Sequence, residues 1–126
     1  MKIVPANIVS IKYWHRKVES VEQIEKLEIK KVDKQFEISI DEKEFKPLDS
    51  KELRAILSTL DTQIDIQNYQ QDYLVHIYDN DLNDLNAKFY LEVYFIDCTY
   101  IAIKGLHPFK QPKYQEITNL FENYFK

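Results

Sequence analysis

Glycine is nearly absent from this chain, which has only Gly105 among its 126 residues. Phosphate-cradling loops and the dinucleotide-binding turn need several glycines where the backbone approaches phosphate, so nucleotide-dependent enzymes of those classes are excluded. Cysteine is equally scarce. Cys98 stands alone, so no disulfide can form within the chain, and the composition fits a reducing compartment. Long apolar runs are missing too. The longest mostly apolar stretch, residues 89–103, is broken by Glu92 and Asp97 and is too short to cross a bilayer as a helix. Met1-Lys2-Ile3-Val4 leads into Pro5 and Asn7 rather than into a leader-like apolar segment. The expectation is a cytoplasmic protein with no membrane partner.

The fourth scarcity is local. Between Arg54 and Lys88 there is no lysine or arginine, yet the stretch holds Asp61, Asp65, Asp72, Asp79, Asp81 and Asp84. The other 93 residues hold 17 basic and 15 acidic side chains, so the whole negative excess sits in about a quarter of the chain. Charge concentrated in this way creates a directional field and favours encounter with a basic partner.

What is present predicts one globular α+β domain over residues 1–126. Period-two alternation marks strands at Val9, Ile11 and Tyr13, at Leu27 and Ile29, and at Phe36, Ile38 and Ile40. Residues 32–35 form a hairpin connection, and a short strand is expected around Phe45. Residues 20–26 fit either strand or short helix. Asp49-Ser50-Lys51-Glu52 is a capping box, with Leu48 able to staple onto Leu53. Leu53, Ile56, Leu57 and Leu60 then form one apolar stripe, which predicts a helix over about residues 50–60.

Further strands are expected over residues 73–78, 89–96 and 100–104, with a loop at 79–86 and a tight turn at Asp97-Cys98. Gly105, Pro108 and Pro112 punctuate a loop, and Tyr114, Ile117, Phe121 and Tyr124 mark a closing helix. The outline is an antiparallel sheet of about six strands with two helices packed on it.

Candidate chemistry is thin. Asp79, Asp81 and Asn83 have the spacing of a calcium loop, but Asp84 stands where that loop requires glycine and Tyr90 where it requires glutamate. A solvated or partner-binding acidic loop is the better reading, with no metal site expected. His15, His76 and His107 lack zinc-site spacing. Ribonuclease-type chemistry would need two of them adjacent and a phosphate-binding cation. Cys98 follows Asp97, whose charge disfavours a thiolate. No catalytic residue and no cofactor are expected.

Tyr69, Tyr73, Tyr78, Tyr90, Tyr94 and Tyr100 lie among or just beyond the aspartates. Exposed tyrosine beside carboxylate suits binding of a basic protein. Six aspartates repel phosphate, so nucleic acid is not the expected partner. Asp72, Tyr78, Asp79, Asp81, Asp84, Tyr90 and Glu92 are the candidate contact residues.

A compact acidic α+β domain, the Tyr78-Asp79-Asn80-Asp81-Leu82-Asn83-Asp84 loop and the lack of catalytic equipment together carry a resemblance. In overall character the chain resembles the small bacterial immunity proteins that neutralise nuclease toxins of contact-dependent and other polymorphic systems. The resemblance implies a cytoplasmic inhibitor, not an enzyme, that binds a cognate basic toxin domain and blocks its substrate cleft. Two alternatives stand beside it: a phage-type inhibitor mimicking nucleic-acid charge, and a small phosphodiester-cleaving enzyme using His15, His107 and a lysine.

Overall fold

The computed structural model describes residues 3–16, 24–64, 87–106 and 112–125. A single 3-10 turn, Pro5–Asn7, leads into β1 (Ile8–Arg16). β2 (Ile24–Val32), β3 (Gln35–Ile40), β4 (Lys46–Pro47) and α1 (Ser50–Gln63) follow. After them come β5 (Ala87–Phe95), β6 (Tyr100–Leu106) and α2 (Pro112–Glu122), which runs into a 3-10 turn at Asn123–Phe125. The strands form one six-stranded sheet in the order β4-β3-β2-β1-β5-β6, and every neighbouring pair is antiparallel. The expected α+β architecture, six strands and two helices, is the one found.

Alternation decides the two faces. Ile11 and Tyr13 of β1, Leu27 and Ile29 of β2, Phe36 and Ile38 of β3, and Phe89, Leu91 and Val93 of β5 form one core with Leu53, Ile56, Leu57 and Leu60 of α1 and Ile117 and Phe121 of α2. Each such side chain stabilises the fold by roughly 1.5–3 kcal/mol when fully buried. One expected inward residue is displaced. The β1–β5 register shifts between Ile8 and Ser10, so Ile8 enters the core while Val9 is 42% exposed. A bulge adds one residue to a strand and turns its neighbours over, and alternation alone does not reveal that.

α1 begins as its cap predicts. The Asp49 carboxylate accepts a hydrogen bond from the Lys51 amide at 3.0 Å, and Leu48 and Leu53 are both buried. Glu52 is the acidic residue of the first turn, and its charge helps raise the Tyr124 phenol. Pro112 is the first residue of α2 rather than part of a loop, a position where its missing N–H costs nothing. The short strand expected around Phe45 is β4, at Lys46–Pro47. The strand expected over residues 73–78 and the loop over 79–86 lie outside the described residues.

Scarcity of glycine shows in the turns. Asp33, Asp41, Glu42 and Cys98 all adopt positive φ, between 53° and 69°. Side-chain bonding helps at two of these turns. Asp41 accepts from the Lys26 amide, and Asp97, beside Cys98, accepts from both the amide and the hydroxyl of Thr99. Among the described residues no helix is long and apolar enough to cross a membrane.

Candidate functional site

Most of the expected contact residues, namely Asp72, Tyr78, Asp79, Asp81 and Asp84, lie outside the described residues, as do Tyr69, Tyr73, His76 and His107. Tyr90 and Glu92 are described, and they correct the expectation. Both lie on the sheet face opposite α1 and α2, yet Tyr90 is 0% and Glu92 4% exposed. Trp14 and Ala102 on the same face are buried with them, and the Trp14 and Tyr90 rings are 4.6 Å apart. Strand alternation assigns a face correctly but does not say whether that face is covered. In this structure neither Tyr90 nor Glu92 is presented to a partner.

The accessible part of this second face lies one step along the strands. Tyr94 of β5 and Tyr100 of β6 are directly paired, and their rings stack at 5.7 Å with 29° between planes. The Tyr94 hydroxyl donates to the Glu92 carboxylate, and the Lys12 ammonium sits 5.7 Å from the Tyr94 ring centre. Burial first, and then the bond to Glu92, raises the Tyr94 phenol above its ordinary range, so it remains a donor. Next to it, Ile96 is 54% exposed, and the bulged Val9 lies near the same end. Two rings held by stacking and by a buried carboxylate, flanked by exposed aliphatic side chains, make a rigid, amphipathic surface.

The β5–β6 connection frames this surface. Asp97 accepts from the Thr99 side chain and amide, which hold its carboxyl below the usual carboxylate range. The Phe95 amide bonds the Thr99 carbonyl at 2.9 Å, which closes the loop. Cys98 is exposed on it.

A second polar cluster, unforeseen from the sequence, lies on the helix side of the sheet. Tyr13 and His15 are two apart on β1, and His15 is directly opposite Glu25 of β2. The Tyr13 hydroxyl is 3.0 Å from His15 Nδ1, and His15 Nε2 is 2.9 Å from Glu25 Oε1. A carboxylate at Glu25 can only accept, so with a neutral ring the proton sits on Nε2 and Nδ1 accepts from Tyr13. Phe121 stacks on Tyr13 at 4.3 Å, and Phe125 meets the His15 ring edge-on at 4.8 Å.

Burial is the main reason the Tyr13 phenol is pushed well above its ordinary range, with Glu122 and Glu25 adding to it. A phenol so raised is the opposite of an activated nucleophile. His15 is 5% exposed, with both ring nitrogens engaged, so the cluster clamps β1, β2 and the C-terminal helix together. The signal available in the sequence was the Tyr13-x-His15 spacing. It sets a polar ring on a core face, where a partner must satisfy it.

Among the described residues no group of three His, Cys, Asp or Glu side chains is placed to hold a metal ion. No family model matches the chain, and neither a curated protein nor a solved structure shows significant similarity to it.

Proposed function

We propose that this chain is an immunity-type inhibitor that binds a basic nuclease toxin domain and occludes its substrate cleft. The observation that supports it most is the charge distribution. Six aspartates without a counter-charge occupy residues 55–87, while the remaining chain is close to balanced. A nuclease needs a positive cleft for phosphate, and clustered carboxylates complement that cleft, speeding encounter and covering the site. Asp72, Tyr78, Asp79, Asp81 and Asp84 remain the proposed acidic contacts, while buried Tyr90 and Glu92 leave that set. The Tyr94–Tyr100 stack with Ile96 supplies the apolar, aromatic area that such an interface needs at its centre. The phosphodiester-cleaving alternative depends on His15, and that ring is enclosed and engaged at both nitrogens.

The test is kinetic. A basic nuclease toxin domain is mixed with wild type or with the triple variant Asp79→Asn, Asp81→Asn, Asp84→Asn. The variant should fold normally, because asparagine keeps the size and polarity of aspartate. It should associate more slowly, and its rate should depend less on ionic strength. Equal rates and equal salt slopes would remove the acidic stretch from the interface.

A further inference from the structure

The β2–β3 turn, β3, β4 and the start of α1 enclose a groove of about 350 Å³. Its floor is apolar: Phe36, Pro47, Leu48 and Leu53 line it. Its charged lining comes from Lys34 and Arg54, with no carboxylate among the lining residues. A third cation is close by, since the Lys31 ammonium lies 5.7 Å from the Phe36 ring centre.

Neither acidic residue at the start of α1, Asp49 or Glu52, is among the lining residues, and the Asp49 carboxylate caps its own helix through the Lys51 amide. In a chain with net charge −4, both charged side chains that line this groove are cations.

We infer that this groove is a docking site for an acidic peptide segment of a partner protein, one with an apolar side chain between carboxylates. The inference does not depend on the proposed immunity function. The volume is at the small end of ligand clefts, about 300–1,000 Å³, and suits one inserted side chain with its neighbours. The apolar floor takes that side chain out of water. Lys34 and Arg54, from two different elements, meet the flanking carboxylates. Arg54 offers a fork of donors suited to a carboxylate, and Lys34 a mobile point charge. A basic segment would meet like charge at both rims, which costs affinity without any clash.

The experiment uses the full chain and a fluorescein-labelled Glu-Asp-Leu-Glu-Asp peptide, followed by anisotropy. A Lys-Arg-Leu-Lys-Arg peptide and the acidic peptide with alanine in place of leucine serve as comparisons. Saturable binding of the acidic peptide is expected, with the alanine version weaker and the basic one not bound. The double variant Lys34→Glu, Arg54→Glu should raise Kd by about tenfold or more. Lys43→Glu with Lys51→Glu changes the net charge equally outside the lining and should leave Kd within about twofold.

Absence of saturable binding would overturn the inference. So would equal loss in the two double variants, which would mean attraction to bulk charge alone. Sedimentation of wild type and the groove variant covers the remaining occupant. If wild type self-associates and the groove variant does not, a second copy of the chain fills the groove and the assignment to a partner peptide fails.

Discussion

Tyr13 is the point where the sheet, the second helix and a buried histidine meet, and its phenol is held neutral there. Burial, then Glu122 and Glu25, raise its ionisation from the ordinary 10.0. A raised folded-state value means the fold favours the neutral phenol. The resulting stability is fully present below the unfolded-state value near 10 and is lost as pH rises from there toward the folded one. Urea melts at pH 7 and above pH 10 should therefore show marked alkaline destabilisation, with a smaller loss in Tyr13→Phe. At pH 7 the same substitution removes the bond to His15 Nδ1 and should cost about 1–2 kcal/mol. If the alkaline loss is undiminished in Tyr13→Phe, the sensitivity belongs to Tyr94 or Tyr124, whose phenols are also raised.

The elements owe their positions to side chains of different visibility. α1 buries Leu53, Ile56, Leu57 and Leu60 against the sheet. Leu57→Ala should destabilise by about 2–5 kcal/mol in denaturant melts. Asp49→Ala should cost about 1 kcal/mol, since it leaves one amide uncapped. A loss near zero at Leu57 would mean that this stripe is not core. α1 was legible because its cap, staple and stripe are all local and point to the same start. β2, β3, β5 and β6 were legible from their alternation. Val9 was misassigned because a bulge is a property of a strand pair, and its cost and benefit fall on β5 as much as on β1. Tyr90 and Glu92 were misassigned for a related reason. Their direction follows from the period of two, whereas their cover depends on packing that no local pattern encodes. The Tyr13–His15–Glu25 cluster needed the β1–β2 register before Glu25 could be matched to His15.

At the scale of the whole molecule, the chain combines a stretch of sequence whose only charges are aspartates with a groove whose charged lining is Lys34 and Arg54. Calcium is not expected to engage the acidic stretch. Residues 79–90 lack the required glycine and the closing glutamate, so added calcium or chelator should leave Tm unchanged. A clear upward shift with calcium would make that stretch a metal site after all. The strand order also has a kinetic side. β1 is central, pairing with β2 just after it and with β5 far along the chain, where Tyr13 meets Leu91. Loop-closure entropy makes such distant pairings slow to form relative to neighbouring hairpins. On a ribosome, the strands and helix up to residue 64 emerge first, with the inner edge of β1 still an open template. The edge of β1 that later pairs with β5, inside the finished sheet, is therefore exposed to wrong partners until β5 has been synthesised.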